Sequence, residues 1–187
     1  MALYNQFDNL PYIPYNIIVS IFNNEDLWKL IYYPDYDCLS KPALTDAQKS
    51  ELIWKNQDRM EEYNIFLTSL NENMMPISKT FIMLYDVDVS PDNHIVSTVA
   101  YEFRILTGGK ISMAESNGIP CNRLDLIKME LLKSLNGKDV AGVGVLQFNQ
   151  KLTRLCASRT GTIGNNRDFT GTNLVMATQV GSVNSKC

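Results

Sequence analysis

The sequence lacks long apolar runs and a recognisable targeting segment. No apolar stretch approaches the roughly 20 residues that a helix needs to cross a bilayer. Met1–Leu10 has neither the basic start nor the apolar run of a signal peptide. We therefore expect a soluble protein that is made in a cytoplasm and has no membrane partner.

Cysteine and histidine are scarce and scattered. Cys38, Cys121, Cys156 and Cys187 form no closely spaced pair, and the single histidine, His94, has no cysteine near it in sequence. A zinc site needs closely spaced ligands, and nucleophilic catalysis needs a serine or cysteine placed beside a base. The sequence therefore predicts reduced thiols, no cofactor and no catalytic residue, and we expect that the protein is not an enzyme.

Strong charge of one sign is also missing. The formal net charge is −3, from 17 Lys and Arg against 20 Asp and Glu. A dedicated nucleic-acid binder would show a basic face or a strongly basic pI. The only basic concentration is Arg154, Arg159 and Arg167. These arginines could contact DNA phosphates in a channel, pair with carboxylates across an interface, or be solvated loop residues.

Three carboxylates come close to a metal-binding pattern. Asp86, Asp88 and Asp92 alternate like the start of a calcium-binding loop, but Pro91 stands where the pattern needs glycine and Ser97 where it needs glutamate. Without the sharp turn and the bidentate ligand, oxygen atoms cannot encircle calcium. We favour an acidic hairpin turn and expect no metal site, with metal binding as the alternative.

Two glycine-marked segments resemble nucleotide-binding loops only superficially. Gly142-Val143-Gly144 follows a predicted helix and opens a predicted strand, which is the reverse of the dinucleotide-binding order. The Gly161–Gly171 segment lacks the Gly-Lys-Ser/Thr of a phosphate-binding loop. The first segment instead predicts a bulge or a close backbone approach in a sheet.

The most regular stretch is Ile119–Asn149, which predicts a helix that turns back onto a strand. One apolar stripe has the helical spacing of a core-facing side: Leu124, Ile127, Leu131 and Leu135. Pro120 suits the first turn of this helix, and Gly137 suits the residue just past its end.

The same helix has a second apolar side, formed by Leu126, Met129 and Leu132. In a small domain the second side of such a helix is often buried by another subunit, so we expect a subunit or partner interface here. The other candidate interface is Met1–Tyr15, whose aromatics include Tyr4, Phe7 and Tyr12. Its two prolines favour an extended arm, which lies either over its own domain or on a neighbouring subunit.

The spacing of apolar residues changes along the chain and predicts three parts: an arm at 1–15, a helical region at 16–76 and an α+β sheet domain at 77–187. In the helical region, Asn23 or Asn24 caps one helix that Pro34 ends, and Thr45 caps another that runs to about Asn56. Residues 57–76 predict either a helix or an ordered loop.

From Ser78 onward, apolar residues recur at every second position, which is the spacing of a β-strand. Two alternating runs, separated by Ser90-Pro91-Asp92-Asn93, predict a long antiparallel hairpin with Thr98, Glu102 and Arg104 facing outward. A further strand is expected through Lys151–Cys156, and TNLVMATQV closes the sheet. The fold class is therefore α+β: an antiparallel or mixed sheet with one packed helix, in ββαββ order, preceded by a helical N-terminal region.

Two stretches resemble neck proteins of tailed bacteriophages. LNGKDVAGVGVLQF, with Asp168–Gly171 and the strand after it, is similar to the C-terminal half of these proteins, and NNEDLWKLIYYPDYDCLSKPALT is similar to their helical N-terminal half. The resemblance implies a structural protein that forms a homo-oligomeric ring around the DNA channel between capsid and tail. Its partners would be copies of itself, neighbouring neck and tail-tube or portal proteins, and passing DNA bound without sequence specificity.

Among neck proteins the sheet-plus-helix half favours a tail terminator, and the helical N-terminal third favours a head-completion or portal adaptor protein. Either would reside in the neck of the virion after assembly in the bacterial cytoplasm. From a different class, Asp86, Asp88 and Asp92 leave open a small metal-dependent nucleic-acid enzyme. A monomeric binding module is the remaining alternative.

Overall fold

The computed structural model describes residues 9–55, 57–69, 78–92, 96–159 and 168–181 of the 187-residue chain. The α-helices within these ranges are α1 Ile13–Ser20, α2 Glu25–Tyr32, α3 Asp46–Glu51, α4 Arg123–Leu135 and α5 Gln150–Arg159. The strands are β1 Ile65–Phe66, β2 Thr80–Pro91, β3 Val96–Gly108, β4 Met113–Ser116, β5 Ile119–Asn122, β6 Lys138–Val140, β7 Gly144–Phe148 and β8 Phe169–Gly181. No helix in the described ranges is long and apolar enough to cross a bilayer.

Six strands form one mixed sheet in the spatial order β1-β2-β3-β8-β7-β6, and β4 and β5 form a separate hairpin. Among the described strands of this sheet, β1 and β2 pair in parallel and the other neighbours are antiparallel. The α+β class and the helical N-terminal region are therefore confirmed. The predicted ββαββ order is replaced by a longer one, because β1 precedes the long hairpin and β4–β5 separates that hairpin from α4.

Both faces of the sheet are covered. The front face carries alternate residues of the long strands, such as Leu84, Phe103 and Leu174, and shares one core with α1, α2 and α4. The back face carries the residues between them. One apolar cluster there contains Phe66, Phe81 and Leu106, and another contains Ala100 and Val175 under α5. Burial on both faces explains the unbroken apolar run Phe81–Leu84 within β2.

The N-terminal segment is helical where the structure describes it. Leu10–Tyr12 forms one turn of 3₁₀-helix and α1 follows at once, so the prediction of an extended arm is wrong for this part. Pro11 and Pro14 each fall in the first turn of their helix, where a missing N–H costs no hydrogen bond. Residues 1–8, including Tyr4 and Phe7, lie outside the described residues.

The predicted caps of α2 and α3 are confirmed. The Asn24 side chain accepts a hydrogen bond from the Leu27 N–H at 3.0 Å, and Thr45 and Gln48 form a reciprocal capping box. Helix α3 ends at Glu51, well before the predicted Asn56. The ambiguous segment contains a 3₁₀ turn at Gln57–Glu62 and then the parallel edge strand β1, which the sequence did not predict.

The core stripe of α4 is confirmed, since Leu124, Ile127, Leu131 and Leu135 are all buried. Its predicted start is wrong, because Pro120 lies in β5 and the helix begins three residues later. Asn122 is the cap, with its side-chain oxygen accepting from the Leu124 N–H at 2.9 Å. The glycine predicted just past the helix end is confirmed. Gly137 has φ +74°, a left-handed conformation that glycine adopts without a steric penalty.

The strand predicted at Lys151–Cys156 is wrong; this segment lies in α5. The Asn149 side chain accepts from the Leu152 N–H at 3.0 Å and so caps the helix. Leu152 and Cys156, one turn apart, both pack on the back-face cluster around Val175. A helix capped and anchored in this way covers sheet surface that a strand would have left open.

The Gly142–Gly144 segment has the predicted close approach. Gly142 and Gly144 have φ +75° and +92°, and a Cβ on Gly144 would lie 3.3 Å from Thr178 Oγ1. Both the backbone conformation and the lack of space therefore favour glycine where β7 meets β8.

Candidate subunit interface

The second apolar side of α4 is mostly buried by the same chain. Leu126 is buried and Leu132 is half-buried against the main core. Helix α2 makes this contact, because it packs directly on α4. The expectation that another subunit covers this side is therefore wrong for Leu126. Sequence periodicity showed that both sides of α4 must be buried, but it could not show that α2 buries the second one.

Met129 is the residue of this side that stays exposed, at 42%. It lines a pocket of about 370 Å³ together with Asp26, Glu130 and Lys133. Lys133 Nζ lies 2.7 Å from Glu130 Oε1, so a salt bridge borders the methionine. A single exposed apolar side chain among charged residues is ordinary for a protein surface. Met129 stays a predicted interface residue.

Among the described residues, a larger exposed apolar surface lies on α1 and the turn before it. Tyr12 is 65% exposed, Tyr15 is 46% exposed and Val19 is 40% exposed. Their spacing of three and four residues places them on one side of the helix, which we call the α1 face. The opposite side, with Ile13 and Ile17, is buried in the main core.

The α1 face carries no charge. Residues 9–23, NLPYIPYNIIVSIFN, contain no Asp, Glu, Lys or Arg, although 20% of the chain is charged. A surface helix ordinarily places charged side chains on the side away from the core. Tyrosine is enriched and lysine and glutamate are depleted at the centres of protein interfaces. The composition of this face is therefore typical of a surface that another protein covers.

Arg123, at the start of α4, has a structural role that was not predicted from the sequence. Its side chain is fully buried, yet it donates five hydrogen bonds of 2.7–3.2 Å, all to backbone carbonyls. The acceptors are Leu30, Tyr33, Pro34, Asp35 and Ile111. The first four lie at the C-terminal end of α2 and just beyond it, where carbonyls have no partner within the helix.

The surroundings of Arg123 are desolvated as well as polar. Burial lowers the pKa of the Arg123 guanidinium, and burial raises the pKa of the nearby Cys38 thiol. The guanidinium joins the end of α2 to the start of α4, and thereby fixes the helical region against the sheet. No local pattern could have revealed this role, since four of the five acceptors are about 90 residues away in sequence.

The outward position predicted for Glu102 is wrong, because Glu102 is only 2% exposed on the back face. Asn173 Nδ2 donates a hydrogen bond to its carboxylate. Burial, reinforced by the negative charge of Glu102, raises the pKa of the neighbouring Tyr85 hydroxyl to about 12. The back face thus holds a polar pair between its two apolar clusters.

The three candidate metal carboxylates do not form one ligand set. Asp86 pairs with Tyr101 and Asp88 with Ala100 across a register shift, so the two carboxylates leave opposite faces of the sheet. Asp92 accepts a hydrogen bond from Thr98 at 2.8 Å. In the ranges that the structure describes, no group of three His, Cys, Asp or Glu side chains could hold a metal ion. His94 lies outside those ranges.

Only part of the predicted arginine group lies within the described residues. Arg154 is exposed on α5 and Arg159 is the last residue of that helix. Arg167, and most of the glycine-marked loop to Asp168, lie outside the described residues. Contact of these arginines with DNA or with a carboxylate across an interface stays a prediction.

Comparison with known proteins gives one family. No curated protein and no solved structure matches the chain. The family described as YomW matches residues 24–178, from the cap of α2 into β8. That name is the name of a phage-derived protein, which agrees with the bacteriophage resemblance of the sequence in general terms. Because the match covers most of the chain, this protein belongs to the YomW family.

Proposed function

We propose that this protein is a structural subunit of the phage neck. It forms a closed homo-oligomeric ring that joins capsid to tail around the DNA channel, in the position of the tail terminator. The observation that carries the proposal is the uncharged, exposed α1 face, with Tyr12, Tyr15 and Val19 in one stripe. Membership of a family with a phage-derived name supports a phage role.

The α1 face suits permanent assembly for a physical reason. Burying a charged side chain at an interface requires a partner that compensates its lost hydration, whereas this face has no charge to desolvate. Two tyrosines offer large apolar rings and hydroxyls that can bond at the edge of a contact. Burial of apolar area contributes about 25 cal/mol per Å², so a stripe of this kind favours association.

A head-completion or portal adaptor ring is the second candidate. The observation that favours it is the helical N-terminal third, where α1, α2 and α3 follow one another before the first strand. Both candidates place the ring in the virion neck, with assembly in the host cytoplasm. Both also allow Arg154, Arg159 and Arg167 to meet passing DNA without sequence specificity.

The test compares the parent protein with Val19→Glu by light scattering and negative-stain imaging. We expect rings for the parent, and smaller species for Val19→Glu with an unchanged circular dichroism spectrum. Tyr36→Glu is the matched control, because Tyr36 is exposed to a similar extent but lies outside the α1 face. If Val19→Glu forms the same rings as the parent, the α1 face is not the interface.

The two candidate positions are separated by partner binding. Purified parent protein is mixed with tail tubes or with portal assemblies, and the complexes are imaged. A tail terminator should cap the end of the tube and leave the portal free. Binding to the portal alone would instead assign the adaptor position, and a monomeric parent that binds neither would contradict both.

A further inference from the structure

We propose that the α1 face of one subunit docks into an uncharged groove on the back face of the sheet of the next subunit. This inference rests on the proposed ring, and it names the two surfaces that meet there. The groove has a volume of about 590 Å³ and lies beside β7 and β8. Its lining includes Thr98, Val145, Gln147, Phe148, Ala177 and Gln179.

Strand geometry creates the groove. Strand β7 pairs with β8 only at Gln147 and Phe148, and its earlier residues pair with β6 instead. Gln147 lies opposite Ala177, which packs on the back-face cluster, so Gln147 and Val145 share the back face. Thr98 lies opposite Gln179 in the same row of the sheet.

The lining of the groove is uncharged, as is the α1 face. All the described residues that line it are apolar, amide or hydroxyl residues. Three other grooves of the described surface each contain charged residues, for example Glu25 and Lys138 in one and Glu51 and Lys55 in another. A tyrosine-rich face pressed against those grooves would strip water from charged side chains, whereas the described residues that line this groove have no charge to desolvate.

The α1 face and the groove carry side chains that can pair: apolar groups with apolar groups, and amides with hydroxyls. Val145 is an exposed apolar side chain that can contact Val19, and the amides of Gln147 and Gln179 can exchange hydrogen bonds with tyrosine hydroxyls. In the described part of the chain, carboxylates border the groove but do not line it. Asp88 lies opposite Ala100 and Asp92 is bonded to Thr98 on the β2 side, and Asp139 of β6 lies opposite Val145 on the other side.

The two surfaces lie on opposite sides of the molecule's sheet. Helix α1 packs on the front-face core, and the groove opens on the back face. One copy can therefore use its α1 face while its groove remains free for another copy. Such a contact is heterologous, and repeated contacts of this type close into a ring when the rotation per subunit allows it.

Two single substitutions test the pairing. Val19→Glu blocks the α1 face and Gln147→Glu blocks the groove, and each introduces one carboxylate at an exposed position. We expect each variant alone to be monomeric, with self-association weakened by at least about 100-fold, since an unpaired charge would have to be buried. Circular dichroism should show the parental fold for both.

The decisive sample is a mixture of the two variants. Gln147→Glu keeps an intact α1 face and Val19→Glu keeps an intact groove, so we expect a 1:1 heterodimer by sedimentation that grows no further. A chain carrying both Val19→Lys and Gln147→Glu should regain self-assembly, because the opposite charges meet at the contact. Recovery in that chain would also show that the single variants fail through charge and not through misfolding.

Other outcomes overturn the inference in distinguishable ways. If the parent forms rings and Gln147→Glu does so too, or if the mixture stays monomeric, the groove is not the receiving surface while the proposed function stands. If Val19→Glu forms the parental rings, the α1 face is not the interface and the inference fails at that surface. If Met129→Glu disrupts the rings and Gln147→Glu does not, the α4 side is the receiving surface. If the parent itself is monomeric with every neck partner, the proposed function and this inference both fail.

Discussion

Replacement of Arg123 tests how the helical region is fixed to the sheet. In Arg123→Met the side chain has no donors, so five buried or partly buried backbone carbonyls lose this donor. A hydrogen bond to a charged group contributes about 1.5–3 kcal/mol, but bonds to a single guanidinium are not additive. A buried polar group left without a partner costs about 1–3 kcal/mol, so the simultaneous loss of five partly overlapping bonds should total about 3–5 kcal/mol.

We therefore expect Arg123→Met to lower the free energy of unfolding by about 3–5 kcal/mol, measured by urea or guanidinium denaturation. Arg123→Lys should also be destabilised, by a smaller amount, because an ammonium group has three donors and lacks the planar fork. Lys133→Met is the matched control on the same helix. It removes an exposed cation and one partly exposed salt bridge, so we expect a loss below about 1 kcal/mol. A loss below about 1 kcal/mol for Arg123→Met would refute the structural role given to the guanidinium.

Two further predictions concern stability. Leu131→Ala should lower the free energy of unfolding by about 2–5 kcal/mol in denaturant unfolding, because Leu131 is fully buried. Met129→Ala, on the exposed side of the same helix, should lower it by less than about 1 kcal/mol. Equal losses would show that α4 is misplaced. Burial raises the pKa of Tyr85 to about 12 and also raises the pKa of Tyr101. The unfolded chain therefore loses these protons first, so the free energy of unfolding should be unaffected by them below about pH 10 and should fall between about pH 10 and 12. Tyrosine absorbance should show late-titrating groups that Tyr85→Phe reduces in number, and an unchanged titration curve would contradict the burial of Tyr85.

Local signals in the sequence were sufficient for part of the fold. The core stripe of α4, the cap at Thr45 and the glycine after α4 were all predicted, because each depends on residues within a few positions of one another. The α5 segment was misassigned as a strand because its identity depends on the cap at Asn149 and on contacts with the back face. Strand β1 has only two residues, which is too short for any period to appear.

The surfaces proposed for assembly also depend on contacts and conformations that no local sequence pattern shows. Tyr12 was a predicted interface residue, but Tyr15 and Val19 join it only because α1 begins at Ile13 and turns them to one side. The groove brings together residues of β3, β7 and β8 that are up to about 80 positions apart, so no sequence pattern marks it. Leu126 was assigned to an interface because sequence alone could not show that α2 covers it.

The mass of the purified parent protein in solution tests the central claim most directly. We expect light scattering coupled to size exclusion to give one uniform species whose mass is an integral multiple of the 21.2 kDa chain, and negative-stain images of that species to show closed rings. The measurement should be repeated in the presence of tail tubes and of portal assemblies, since a neck subunit can require its neighbour to assemble. A mass of one chain under all of these conditions would contradict the ring.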